Sequence, residues 1–385
     1  MQVTRLRVLH LSEFGLPDWR IEKSAITAKR KGYDVFFAGQ KNVHEYKNIT
    51  FNQIFTFPWN IKAKYQLPFF YQVLKKKIKS VIDEIRPEII HAHNILPAKI
   101  ASEFDIPFVF DDHEYSSNHS KVVYETFKIR ESQDKFKLNR IRWMARKSVK
   151  KYMGKLWMEW EREIVSKHPT ITVSDGIADE LRKYNSANKI VVVPNVPMKN
   201  EIPQFDKPVY HNEISSVYMG SDGLALYSYP NRDISGLIEI FQDNTIGNLQ
   251  IVGWDNKKQE NSKIKFHGYI SRQNAFKILI QSSIGLVPWK KHWSHSYVNP
   301  NKTYDYVHSG LLVVCISDLK TIYSTLGGNC ILVEDYDDLV QKLKYLSDNK
   351  EELYKKRLQS FNFAKDNLIW EKYDNNIINI YNSIA

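Results

Sequence analysis

Several features that would place a chain quickly are missing here. Two cysteines in 385 residues exclude a disulfide-built scaffold and a cysteine-built zinc site. No apolar run approaches the ~20 residues of a membrane span. The apolar stretch Val8–Leu11 is too short for the core of a secretion signal. No GxGxxG string occurs, so the dinucleotide fingerprint of a Rossmann enzyme is lacking. No internal repeat of short fixed period is visible. Low hydrophobicity is also absent: 43% of residues are hydrophobic and 25% charged, which leaves material for real cores. The expectation is a soluble, cytoplasmic protein of two to three domains, at ~150 residues each.

What is present is positive charge and alternation. Lys and Arg outnumber Asp and Glu by 55 to 43, a net +12 with a pI near 9.3. That surplus argues for an anionic partner: nucleic acid, a membrane surface or a phosphorylated small molecule. Short β-branched runs alternate with helical periods, the signature of an α/β protein with parallel sheets. Strands are expected at Arg7–Leu11, Val35–Ala38, Glu88–His91, Phe108–Phe110, Thr170–Val173 and Ile190–Val193. Four prolines between Pro194 and Pro208 mark a linker. The pattern restarts at Ser216–Met219, Leu249–Val252, Ile264–Phe266, Ile284–Val287, Leu312–Ile316 and Cys330–Val333, and ends in helices, the last over Leu368–Ser383. One segment breaks the rhythm. Lys121–His168 carries +8 of the net charge together with Trp143, Trp157 and Trp160, and predicts one or two long helices.

In doubly wound sheets ligands bind beyond the carboxyl ends of the strands, so residues just after strands come first. Gly15 either lets backbone approach a ligand closely or is a plain turn glycine. His91, His93 and Asn94 end one strand; histidines two apart there are more often hydrogen-bonded structural residues than metal ligands, and no metal is expected. Asp111-Asp112-His113-Glu114 sets four ionisable side chains in a row, costly to bury and therefore expected to face a polar cleft. Lys302 and Asp305 lie three apart on one helix. With Asn301 and the helix N-terminus they suit a diphosphate and ribose hydroxyls, or else they form a surface ion pair. Asp335-Tyr336-Asp337 opens a helix, where acids cap rather than bind metal. Cys315 and Cys330 read as small buried hydrophobes.

The run RPEIIHAHNILPAKIASEFDIPFVFDDHEYSS resembles the N-terminal domain of the retaining glycosyltransferases of family 4, the group 1 glycosyltransferases with a GT-B fold. PTITVSDGIADELRKYNSANKIVVVPNVP is similar to that domain's last helix and the start of its linker, with Asn195 in the matching place. SVYMGSD, LQIVG, IKFHGYIS and PNKTYDYVHSGLLVV continue the resemblance in order through the second half. It implies two Rossmann-like parallel-sheet domains facing across a cleft: an acceptor domain over 1–200 with the basic insertion 121–168, a nucleotide-sugar domain over 201–365, and a helix at 366–385 returning to the first. It further implies that His113 contacts the donor sugar and that Gly220, Gly253 and the backbone of Gly268, Tyr269 and Ile270 bound the nucleotide site. Asp305 would hold the ribose; Asn301, Lys302 and Arg232 would face the diphosphate; Gly15, Asn94 and Glu114 would lie on the acceptor side.

The activity so implied is transfer of a hexose-type sugar from a UDP- or GDP-type donor to a hydroxyl of a glycan or lipid-linked acceptor. Retention, no metal and no cofactor beyond the nucleotide sugar are implied with it, as is a place in cell-surface polysaccharide or glycoconjugate synthesis. The departing phosphate would deprotonate the acceptor, so no protein base is named. Three positions depart from the family pattern: Tyr297 stands for the first Glu of Glu-x7-Glu and Asp305 for the second, Ser221 replaces a basic residue, and Lys290–Tyr297 is enlarged. These keep two alternatives open, a hydrolysing nucleotide-sugar epimerase and a catalytically silent glycosyltransferase-like subunit. Lys121–His168 reads either as a peripheral membrane face on anionic lipid, at the inner side of the cell membrane, or as a solvated helix packing its aromatics inward. No nucleic-acid reading module is present.

Overall fold

Two wholly parallel sheets carry the fold. In the computed structural model, which describes residues 5–41, 46–59, 68–133, 140–184, 189–220, 230–243 and 245–385, the first sheet holds β1 (Arg7–Ser12), β2 (Asp34–Gln40), β3 (Gln53–Phe57), β4 (Ile89–His93), β5 (Phe108–Asp112), β6 (Thr170–Thr172) and β7 (Ile190–Val192). Their order is β3-β2-β1-β4-β5-β6-β7. The second sheet holds β8 (Ser215–Met219), β9 (Asn248–Val252), β10 (Ile264–Phe266), β11 (Ile284–Val287), β12 (Leu312–Ile316) and β13 (Cys330–Val333), in the order β10-β9-β8-β11-β12-β13. The central strands are buried on both faces, which is why β12 reads as an unbroken apolar run and β4 and β5 as apolar runs broken only by the His and Asp residues towards their carboxyl ends. β3 was not expected. It is an edge strand with no fully buried residue, and its polar Gln53 and Thr56 hide the signal.

Helices cover the sheets: α1 (Trp19–Arg30), α2 (Pro68–Ile85), α3 (Ile95–Ala101), α4 (Ser116–Gln133), α5 (Arg140–Lys167) and α6 (Asp175–Arg182) in the first half. In the second half come α7 (Leu237–Asp243), α8 (Arg272–Ile280), α9 (Lys302–His308), α10 (Lys320–Thr325), α11 (Tyr336–Asp348), α12 (Lys350–Asn367) and α13 (Asp374–Tyr381). The chain divides into a first unit of Met1–Phe127, Asp134–Asn195 and Tyr373–Ala385, and a second of Lys128–Gln133 and Val196–Lys372. The expected last helix over Leu368–Ser383 is in fact a 3-10 turn, Trp370–Tyr373, followed by the short α13.

In the first unit α13 seats on α1. Ile377 and Ile380 are buried, the Thr27 hydroxyl donates to Asp374 at 2.6 Å, and the Tyr33 hydroxyl donates to Asn382 at 2.9 Å. Acidic Asp18 caps the start of α1 by accepting from the amides of Arg20 and Ile21. In the second unit the fully buried Arg357 of α12 donates to the carbonyls of Gly310, Val209 and Ser282, so one guanidinium satisfies three separated segments. Cys315 is buried and Cys330 half-buried on β12 and β13. Asp335 caps α11 through the amide of Asp338.

The seat of α9 on the second sheet depends on a glycine. Tyr306 of α9 lies against Gly285 of β11, and a Cβ on Gly285 would fall inside the Tyr306 ring's contact distance. The Tyr306 hydroxyl accepts from the Met219 amide of β8 at 2.7 Å. Helix and sheet are thus in contact because one residue lacks a side chain. Gly285→Ala should force α9 outward and lower unfolding free energy by ~1–3 kcal/mol, as overpacking does. Denaturant titration checks it, and an unchanged midpoint would refute the account.

Candidate functional site

The carboxyl ends of β1, β4 and β5 gather an unusual set of ionisable side chains in the first unit. Parallel pairing sets His10 opposite His91, Ser12 opposite His93, and His93 opposite Asp111. The imidazoles of His10, His91 and His93 stack, with centroids 4.4–5.3 Å apart. His91 Nδ1 meets the Tyr381 hydroxyl of α13 at 2.6 Å, and its Nε2 meets Asp111 Oδ2 at 3.1 Å. His10 Nδ1 lies 3.0 Å from His93 Nε2, and His93 Nδ1 lies 3.1 Å from His113 Nε2. Burial, reinforced by the neighbouring imidazoles, holds His10 and His93 well below the usual histidine range, and burial also lowers His91 against the pull of Asp111.

Asp111 and Asp112 have opposite fates. Successive strand residues point to opposite faces, so Asp111 turns towards α1, where Arg20 donates to it with Nη2 at 2.6 Å and Nε at 3.0 Å. Arg20 Nη1 reaches the Val193 carbonyl and the Asn195 side chain, each at 2.8 Å. Burial works to raise the Asp111 carboxyl, but Arg20 and His113 prevail and hold it well below the usual carboxylate range. Asp112 faces the buried Glu161 of α5 instead. Burial and then the Glu161 and Asp111 charges push Asp112 well above the carboxylate range, and burial pushes Glu161 up to about 7 against its hydrogen bonds from Ser117. The expectation that the whole Asp-Asp-His-Glu run faces a polar cleft is therefore corrected. The two aspartates are fully buried within the first unit; His113 is partly exposed and Glu114 exposed, 3.2 Å from His119.

Of the expected acceptor-side residues, Gly15 is half-buried in the β1–α1 loop and has no left-handed φ. Asn94 does, at φ 68° and ψ 174°, a region costly for a residue with a side chain. Its amide donates to the Asp111 carbonyl at 2.9 Å, while its side-chain oxygen is buried without a hydrogen-bond partner.

The second unit assembles the expected nucleotide-side residues around the N-terminus of α9. Lys302, its first residue, reaches back so that its ammonium sits 4.3 Å from the Tyr218 ring centroid and 5.0 Å from that of Trp289. A Cβ on Gly220, just after β8, would come within 2.8 Å of the Lys302 nitrogen. Gly253, with φ 109°, packs its backbone on Gly220, and its amide donates to Gly268 at 2.9 Å. Gly220 thereby leaves bare backbone beside an ammonium, with Gly253 and Gly268 packed in series behind it. Burial, with the charge of Arg232 behind it, lowers Lys302 to about 7. Tyr269 is 83% exposed, and Ile270 follows it in the β10–α8 turn. Ser221 lies outside the described residues.

Two sequence expectations change here. Lys302 and Asp305 do not pair; instead Arg272 of α8 donates to Asp305 Oδ1 at 2.9 Å, also lying 3.6 Å from Glu201. The enlarged loop supports Arg232: His295 is buried, its Nε2 lies 2.8 Å from the Asn231 carbonyl, and Ser294 accepts from the Asn231 side chain at 3.3 Å. Tyr297 closes that 3-10 turn, Trp293–Tyr297. Sequence reasoning did not find Arg20, Tyr381, Arg272, Tyr218 or Trp289. Each acts through a partner distant in the chain or an unremarkable aromatic position, and only Trp289 lies beside a segment that the sequence marks as unusual.

Comparison with known proteins adds to this geometry. The model of Glycosyltransferase Family 4 matches residues 25–196. Sucrose-phosphate synthase from Thermosynechococcus elongatus superposes with a TM-score of 0.71 at 12% identity, over 98% of this chain and 99% of that one. HepE from Anabaena, solved in complex with UDP-glucose, gives 0.64 at 11%, over 98% and 100%. WaaG, a glycosyltransferase involved in lipopolysaccharide biosynthesis, gives 0.60 at 13%, over 96% and 99%. The fold is GT-B. No curated protein matches the chain by sequence.

In this GT-B chain the Lys302 ammonium is held where it is poorly hydrated. Its folded-state value near 7 lies below the unfolded ~10.4, so between those values the unfolded chain binds more protons and stability rises with pH. Lys302→Met should remove that slope and stabilise the second unit by ~1 kcal/mol at neutral pH. Thermal melts across pH check it. Loss of stability in the variant would mean that the ammonium is a structural element.

Proposed function

We propose that this protein is a retaining glycosyltransferase that moves a sugar from a nucleoside diphosphate donor to a hydroxyl of a glycan or lipid-linked acceptor. The observation that carries the reading is the convergence of Lys302 and Arg232, two cations, beside the bare backbone of Gly220 and Gly253 at the strand ends of the second sheet. A lysine and an arginine brought close enough for one to depress the other suit an anion, and a leaving diphosphate supplies one. The neighbouring HepE structure with UDP-glucose supports a donor of that class.

In this reading the diphosphate lies against Lys302, Arg232 and the amide end of α9, where negative charge on the leaving group is stabilised as the glycosidic bond to the donor breaks. Asp305, fixed by Arg272, accepts from the ribose hydroxyls, and the Gly268–Ile270 backbone meets the base. His113 orients the donor sugar, with Gly15, Asn94 and Glu114 on the acceptor side. The departing phosphate takes the acceptor's proton, and the transfer step itself calls on no metal and no cofactor beyond the nucleotide sugar. The pathway is cell-surface polysaccharide or glycoconjugate synthesis, on the cytoplasmic side.

Titration with UDP and GDP tests the anion site. One of them should bind, and Arg232→Ala or Lys302→Gln should weaken binding about tenfold or more. Binding takes up a proton on Lys302, so affinity should fall by up to ~10-fold per unit as pH rises above about 7, and this dependence should flatten in Lys302→Gln. With a panel of nucleotide sugars, free nucleotide released only when acceptor is added supports transfer. An epimer formed without acceptor would support the epimerase reading; no turnover and no nucleotide binding would leave the silent subunit.

The same reading puts α5 on an anionic membrane surface. Among its described side chains Met144, Val149, Tyr152 and Met158 are exposed beside Lys147, Lys150 and Lys151, whereas Glu161, Ile164 and Val165 seat its C-terminal turns in the first unit. Trp160 is half-buried near Tyr71, so part of the aromatic content does pack inward. No described helix is long and apolar enough to cross a membrane. Neutralising the three lysines should weaken binding to anionic liposomes by about 100-fold in co-sedimentation, at ~1 kcal/mol for each charge near the surface. Unchanged sedimentation would remove the membrane from the proposal.

A further inference from the structure

We propose that the first unit binds one divalent transition-metal ion between His93 Nδ1, Asp111 Oδ2 and His113 Nε2. The three atoms form a nearly equilateral triangle: 3.1 Å from His93 to His113, 3.4 Å from His113 to Asp111 and 3.5 Å from His93 to Asp111. Ligands at ~2.0–2.1 Å from a tetrahedral zinc stand ~3.3–3.4 Å apart, so the triangle already has the size of one face of that coordination polyhedron. The rings of His93 and His113 are inclined at 65°, which lets the two nitrogens converge on one point from different directions.

The surroundings hold each ligand in the state a metal needs. Coordination through Nδ1 leaves the His93 proton on Nε2, where His10 Nδ1 is 3.0 Å away and accepts it. Asp111 is fully buried, its charge anchored by Arg20, which donates to Oδ1 from Nη2 at 2.6 Å and from Nε to both oxygens at 3.0 and 3.1 Å, while Oδ2 also lies towards the two imidazoles. His91 Nε2 also approaches Oδ2, at 3.1 Å, and further orients it. His91 itself is not a ligand, since Tyr381 and Asp111 occupy both its nitrogens. The pair His91 and His93, considered from sequence, is therefore not the site; the relevant partner of His93 is His113.

Two nitrogens and one carboxylate oxygen suit Zn2+, Co2+ or Ni2+ rather than Mg2+ or Ca2+, which take oxygen-rich sets. Three protein ligands leave a fourth position, and the partial exposure of the His113 side chain gives it access to solvent. Water or a hydroxyl oxygen fills it. Metal and donor sugar would compete for His113, but binding of the ion does not depend on the glycosyl-transfer reading.

Titration of chelator-treated, tag-free protein with Co2+ tests the site. One ion per chain should bind, with the intense visible absorption of tetrahedral Co2+, and Zn2+ but not Mg2+ should displace it. His113→Ala, at a partly exposed position, should abolish that absorption and weaken binding more than ~100-fold, while circular dichroism and melting temperature confirm that it folds. His119→Ala, at a half-buried histidine close by, should bind as the parent does. Absence of stoichiometric binding to the parent, or unchanged binding in His113→Ala, overturns the proposal.

Discussion

A negative charge that cannot reach water organises the first unit. Asp111 is fully buried, and an isolated carboxylate in such a place would cost several kcal/mol or take up a proton. Arg20 supplies the counter-charge and, in doing so, joins α1, β5 and the backbone that leaves β7. His91 extends the junction to α13 through Tyr381. A single carboxylate thus sets the seats of a helix from each end of the chain, and the histidine stack is ordered around it.

The second unit is arranged by the opposite condition. Its strand ends bring two cations, Lys302 and Arg232, near one another, while Asp305 is occupied by Arg272. Tyr218 and Trp289 offer the Lys302 ammonium ring faces in place of water. Tyr306 fixes the helix that carries Lys302 to β8 and β11. One unit pairs its buried carboxylate with a guanidinium, and the other buries an ammonium against aromatic rings.

Most strands, and both sheets, were legible because doubly buried strands are written as contiguous apolar runs. β3 was not, since an edge strand needs no such run. The Asp-Asp-His-Glu run stands out in the sequence, but the directions of its side chains do not. Ending the strand at Phe110 places both aspartates in a loop, whereas β5 continues to Asp112 and the pleat then separates their side chains. Lys302, Asn301 and Asp305 were readable from local spacing on one helix. The partners that define their chemistry were not: Arg272 is 33 residues from Asp305, and Tyr381 is 290 from His91, distances at which no periodicity speaks. Lys302 and Asp305 have the spacing of an ion pair, yet the lysine turns to two aromatic rings that only the tertiary fold brings near.

The membership of α13 in the first unit bears on how the protein is made. A ribosome delivers β1 through β7 first, then the whole second unit, and only afterwards the helix that covers α1 and caps His91 with the Tyr381 hydroxyl. The first sheet must therefore persist through that interval with an apolar seat, later filled by Ile377 and Ile380, still open to water. The nascent first unit would be stickier than the finished one, and a chaperone that shields apolar surface has its natural moment of action there, between the emergence of β7 and that of α13.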